Sequence, residues 1–180
     1  MPCVKSGAYR DCRTALQDAQ RTVRLVRFQA AQLRIDPHKI GVLGFSAGGH
    51  MVAAISTHFE KRLYPPVDAA DRGSCRPDFA IALYPGHLAV RERNFALNPD
   101  IQVTSRTPPT FLLHAEDDPI DPVENTIVYH AALREAGVPA EMHLFVKGGH
   151  AFGLRRTSSP ITEWPRLVEE WLGAIGMIPK

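Results

Sequence analysis

Gly44-Phe45-Ser46-Ala47-Gly48 places a serine between glycines two residues away on either side. This G-x-S-x-G pattern lets a hydroxyl stand at the crest of a sharp strand-to-helix turn. Small flanking residues let the strand and helix approach, and the helix start sets its positive dipole and the Ala47 N–H beside any developing oxyanion. A serine hydroxyl alone is a weak nucleophile. It needs a base to take its proton and a carboxylate to orient that base. The expected chain order is serine, then Asp or Glu, then His, each just after a strand. Two later segments meet that demand: Ala115-Glu116-Asp117-Asp118-Pro119-Ile120-Asp121, and Lys147-Gly148-Gly149-His150-Ala151-Phe152-Gly153.

Among eight histidines, His150 is the strongest candidate base, because its Gly-Gly approach permits a tight loop at a strand end. His50, in the helix after Ser46, is the competitor and reads better as a packing residue. His143 lies within a strand and His114 ends one, so both read as structural. His38, His58, His87 and His130 have no supporting context. The acid is open on these grounds, since Glu116, Asp117, Asp118 and Asp121 share one loop. Their spacing matches no calcium-type loop, and the bland reading makes most of them solvated or helix-start charges. The bland alternative for Ser46 is a glycine-rich turn without chemistry.

These side chains need a scaffold that carries three loops to one edge. Leu16, Ala19, Val23, Val26, Ala30 and Leu33 recur at helical spacing, predicting an amphipathic helix over 11–33 that ends before Asp36-Pro37. Lys39 to Phe45 is short, apolar and non-alternating, as in a strand buried on both faces. Further strands are expected at 79–84, 110–114 and 141–146. Helices are expected at 47–58, 122–136 and 163–175, and 64–77 and 87–109 read as irregular. Strands alternating with helices imply an α/β fold, a mainly parallel sheet of about four strands flanked by helices. Ligands of such sheets sit at the carboxyl ends of the strands.

The 180 residues suffice for one domain with a core. A net charge of +2, with no basic run, argues against nucleic-acid or anionic-membrane partners. No segment is long and apolar enough to span a bilayer. The N-terminus lacks the apolar core of a signal peptide, so a cytoplasmic protein is expected. Cys3, Cys12 and Cys75 are scattered, which argues against a disulfide framework or a structural zinc site.

The same segments resemble the α/β-hydrolase superfamily, and more narrowly its acetyl-xylan-esterase-like and dienelactone-hydrolase-like bacterial esterases. Gly44-Phe45-Ser46-Ala47-Gly48-Gly49-His50 is similar to the family's nucleophile elbow, with Ile35 to Val42 as its lead-in. Arg76-Pro77-Asp78-Phe79 and Tyr84-Pro85 resemble the next strand, and Gly148 to Gly153 the histidine loop. His114-Ala115-Glu116-Asp117-Asp118 resembles the acid loop. The resemblance implies Asp118 as the acid, with Asp121 in reserve. It also implies a serine esterase acting on short acyl, acetyl-type esters, those of carbohydrates included, with Ser46, His150 and Asp118 as its triad and no metal or organic cofactor.

The departure lies in front of the elbow, where nothing in residues 1–35 resembles the family's first strands or its His-Gly-Gly-Gly-like loop. The expectation is therefore a single, N-terminally truncated α/β-hydrolase domain over 1–180. Its oxyanion hole would have Ala47 as one donor and lack the other, costing about 10²–10³ in rate. The strand edge near residues 39–45 would be uncovered, so a homo-oligomer is expected to cover it. The alternative is a weak or inactive hydrolase remnant serving as an oligomeric interaction module. A prolyl-oligopeptidase-like peptidase shares the elbow, but no segment resembles the accessory domain of such enzymes.

Overall fold

A computed structural model of the chain describes residues 12–179. Its elements in chain order are α1 (Cys12–Phe28), α2 (Ala30–Leu33), β1 (Gly41–Phe45), α3 (Ala47–Thr57), β2 (Phe79–Leu83), β3 (Ala89–Val90), β4 (Ala96–Leu97), β5 (Thr110–Ala115), α4 (Glu124–Glu135), β6 (Ala140–Phe145) and α5 (Trp164–Ala174). Short 3₁₀ turns occupy Ala69–Arg72, Arg91–Arg93 and Pro160–Glu163. Strands β1, β2, β5 and β6 form a four-stranded sheet in the order β1-β2-β5-β6, parallel throughout.

Alternating side chains of the central strands feed two cores. Ala80, Ala82 and Leu112 face Leu16 and Val23 of α1, Val52 and Ala53 of α3, and Tyr129 and Leu133 of α4. Ile81, Leu83, Phe111 and Leu113 face Trp164, Val168 and Trp171 around α5. The sheet is thus sandwiched between helices, as the alternation of elements in the sequence requires. The amino ends of β1 and β2 are tied to α1 by Arg27. Its guanidinium pairs with Asp78 at 2.6 Å and donates to the carbonyls of Pro37, Ser74 and Arg76. The Asp78 carboxylate also accepts the Ile40 N–H at 2.9 Å.

Four expectations are corrected. The helix expected over 11–33 breaks at Gln29 into α1 and α2, and α2 closes with Arg34 in the left-handed region. Leu33, expected on the apolar face, is carried off the core and is 50% exposed; the start expected at Asp11 lies outside the described residues. Of the strand expected over 39–45 to be buried on both faces, only Ile40 and Gly44 are buried, and Leu43 is 47% exposed. The reason is position: among the described residues β1 pairs with β2 alone, so it is an edge. The stretch 87–109 is not wholly irregular, because β3 and β4 pair there as a short antiparallel hairpin.

Two glycines let the elbow form. A Cβ on Gly44 would stand 2.2 Å from the Gly48 carbonyl oxygen, and one on Gly49 would stand 2.9 Å from the Cα of Pro85. No side chain fits either place, so α3 can lie this close to β1 and to Pro85 beyond β2 only as the sequence stands.

Candidate active site

Ser46 is the single residue between β1 and α3 and sits at φ 52°, ψ −117°. A non-glycine residue at positive φ is strained, and the surroundings hold it there. Its N–H donates to Leu83 at 3.0 Å, and its carbonyl accepts the amides of His50 at 3.1 Å and Gly86 at 3.2 Å. The serine is therefore pinned to the carboxyl end of β2 as well as to its own helix. Ala47 opens α3, in the first turn, where backbone N–H groups have no intrahelical partner.

His150 lies in the loop after β6. Its Nε2 is 2.9 Å from Ser46 Oγ and its Nδ1 is 2.7 Å from Asp118 Oδ2. The Asp118 side chain is wholly buried. Its Oδ1 accepts the N–H groups of Ile120 at 2.8 Å and Asp121 at 3.1 Å, while His114 Nε2 stands 3.3 Å from Oδ2. A carboxylate in this setting only accepts, so His150 carries its proton on Nδ1. Nε2 is then left to accept from the serine hydroxyl. The same reasoning fixes His114, whose Nε2 faces the Asp121 carbonyl at 3.1 Å and whose Nδ1 is 2.8 Å from the Thr126 hydroxyl. Burial pushes the His114 imidazole below its usual range, consistent with a neutral ring protonated on Nε2.

Three of the four loop carboxylates are engaged, where the bland reading made most of them solvated or helix-start charges. Asp118 meets His150 as described. Asp117 Oδ1 accepts the amides of Gly148 and Gly149, both at 2.8 Å, and so clasps the acid loop to the histidine loop. The Gly149 N–H is the chief cause holding the Asp117 carboxyl below the usual carboxylate range. Asp121, the reserve acid, does not reach Nδ1. Its Oδ2 lies on the other side of the ring, 3.4 Å from Ser46 Oγ and 4.0 Å from His150 Nε2. Glu116 is exposed, as is Asp117 despite its two hydrogen bonds.

The clasp gives a testable result. Asp117→Ala releases two glycine amides beside His150, and the loosened ring is expected to lower kcat/KM about tenfold to hundredfold on any substrate the site turns over. A depressed carboxyl stabilises the loop fully above the ordinary Asp pKa. That contribution fades as pH falls through the lowered value, so wild-type loop order should hold at pH 5 and loosen below about pH 4. A variant with wild-type kcat/KM would remove the clasp from the account.

Tyr84 is a contributor that sequence reasoning missed. It sits at φ 38° just past β2, and its ring meets His150 edge-on at 4.9 Å and Phe152 at 4.5 Å. No local signal marked it beyond its place before Pro85. His50 packs edge-to-face on His87 at 6.4 Å, in keeping with its expected packing role. A cleft of about 410 Å³ opens on the Asp121 side of the site, lined by residues that include His87, Asn98, Asp118, Ile120, Asp121 and Asn125. Among the described residues no group of three or more His, Cys, Asp or Glu side chains could hold a metal ion. No described helix is long and apolar enough to cross a membrane. What the arrangement can do chemically is move a proton from a strained, pinned serine onto an oriented imidazole.

A parallel sheet carrying a positive-φ serine elbow, with histidine and carboxylate loops at the same strand ends, is the architecture of an α/β-hydrolase. Residues 84–175 match the prolyl oligopeptidase family, and residues 9–82 match the family described as BD-FAE. The chain belongs to the prolyl oligopeptidase family, within the α/β-hydrolases. It is 33% identical over 152 residues to the endo-1,4-beta-xylanase B of Butyrivibrio fibrisolvens, covering 75% of this chain and 24% of that one. It is 30% identical over 148 residues to the acetylxylan esterase of Xylanibacter ruminicola, covering 76% and 30%. Among solved structures, the acetyl ester-xyloside bifunctional hydrolase of Caldicellulosiruptor lactoaceticus superposes with a TM-score of 0.80 at 39% identity, over 91% of this chain and 66% of that one. The chain thus spans a quarter to a third of the length of those two curated relatives.

Proposed function

We propose that this chain is a serine carboxylesterase that removes short acyl groups, acetyl above all, from carbohydrates. Ser46 attacks the acyl carbonyl while His150 Nε2 takes its proton. Asp118 holds the imidazole in the Nδ1–H tautomer and faces the positive charge that forms on it. The Ala47 N–H receives the oxyanion. His150 then returns the proton to the departing alcohol, and water repeats the sequence to free the acid. The single observation that carries this reading is the continuous line from Asp118 Oδ2 to His150 at 2.7 Å and from His150 to Ser46 Oγ at 2.9 Å. The similarity to an acetylxylan esterase and to an acetyl ester-xyloside hydrolase supports the choice of carbohydrate acyl esters.

Residues 1–180 act in this proposal as one domain, and the outer edge of β1 is covered by a second copy, since an edge left open among the described residues, with an exposed Leu43, favours pairing. One preparation tests both parts. A fluorophosphonate should add covalently to the peptide containing Ser46, in step with loss of p-nitrophenyl acetate hydrolysis, on a size-exclusion peak heavier than one chain. Adducts elsewhere, or none, would remove the nucleophile assignment, and a monomeric peak would remove the assembly.

A further inference from the structure

We propose that Asp121 is a specificity residue whose carboxylate binds a free hydroxyl on the alcohol side of the ester, so that the preferred substrates are partly acylated polyols. The inference rests on the esterase reading above. The Asp121 side chain is 10% exposed, and its Oδ2 comes within 3.4 Å of Ser46 Oγ and 4.0 Å of His150 Nε2. No orienting role is left for it, because Asp118 already occupies Nδ1. Within 4.0 Å its one ion-pair neighbour among the described residues is His150. A nearly buried carboxylate therefore borders the place where an ester must sit, without a cation of its own.

It is also held rigidly. Its N–H donates to Asp118 Oδ1, its carbonyl accepts from His114 Nε2, and a Cβ on Gly86 would stand 2.6 Å from its Oδ1. Carboxylate and Gly86 backbone thus fit together with no room between them. Charge then dictates how a substrate lies. The carbonyl oxygen, which becomes negative as Ser46 adds, is repelled by Asp121 and points instead to the Ala47 N–H. The alcohol half is left facing Asp121 and the cleft lined by His87, Asn98 and Asn125. A carboxylate there can only accept, so it rewards an alcohol with a second O–H next to the ester oxygen, as on a sugar ring. It also penalises an alcohol that bears its own negative charge.

The test uses a matched pair that differs by one hydroxyl, trans-2-hydroxycyclohexyl acetate and cyclohexyl acetate, with the full chain. Wild type is expected to favour the hydroxylated ester in kcat/KM by about tenfold to hundredfold, the worth of one hydrogen bond to a charged group. Asp121→Ala should erase most of that ratio. Asp121→Asn, which keeps the shape and a neutral acceptor, should erase part of it and remain informative if the alanine variant does not fold. A carboxylate-bearing ester, 4-acetoxybutanoate, should gain on propyl acetate in Asp121→Asn, a change that loss of structure alone would not produce. A ratio that stays the same in both variants, or a wild type indifferent to the hydroxyl, overturns the assignment to Asp121. If wild type turns over neither ester and Ser46 takes no phosphonate, the esterase reading falls, and this inference with it.

Discussion

Ser46→Ala is expected to lose essentially all turnover, roughly 10⁵–10⁶-fold in kcat, while its unfolding free energy stays within about 0.5 kcal/mol of wild type. Alanine keeps the Cβ, so the backbone at φ 52° is no more and no less strained than before. What disappears is one hydroxyl with its 2.9 Å hydrogen bond to His150 and its 3.4 Å contact with Asp121. Ser46→Gly should be equally inactive but more stable. It relieves the strain of a side chain at positive φ, worth about 1–3 kcal/mol, against about 0.5–1 kcal/mol for the freer unfolded glycine. The net of about 1 kcal/mol should raise the melting temperature by roughly 2–4 °C for a chain of this size. Calorimetry beside an esterase assay checks both halves. A glycine variant that melts below wild type would mean that the elbow stores no such strain.

Asp118→Asn comes second in size, with kcat expected to fall about 10⁴-fold. Every group around this carboxylate donates: the N–H of Ile120 and Asp121 to one oxygen, His150 Nδ1 to the other, with His114 Nε2 3.3 Å from that second oxygen. An amide has to turn its NH₂ toward one side. Facing His150, it forces the proton to Nε2 and blocks the serine; facing the loop, it meets two backbone N–H groups. Either choice leaves buried donors unmet, so a stability loss of about 1–3 kcal/mol should accompany the loss of rate. A variant that keeps a tenth or more of wild-type kcat would show that Asp118 does not set the tautomer.

Much of this was legible because it depends on local pattern. The glycines around Ser46, the Gly-Gly before His150 and the apolar runs at 79–84 and 110–114 each reflect a constraint inside a few residues. They placed the elbow, the histidine loop and the two central strands. The acid could not be chosen from local pattern alone; that took resemblance, since four carboxylates in six residues look alike until partners are assigned. The role of Asp117 depends on amides 31 and 32 residues away, and no spacing announces such a contact. Leu43 looks the same in a central strand as at an edge, because burial of a strand is set by its neighbours in the sheet and not by its own sequence. The β3–β4 hairpin escaped notice because two-residue strands are too short to display alternation.

Arg27 stands at the opposite end of the sheet from all of this chemistry. Four backbone or carboxylate acceptors converge on it where β1 and β2 begin, whereas Ser46, Asp118 and His150 follow the ends where strands finish. The molecule therefore divides its labour along the strand axis. One pole registers the framework, and the other gathers the reactive side chains. Residues around the cleft, such as Ile120 or His87, take no part in the Arg27 tie.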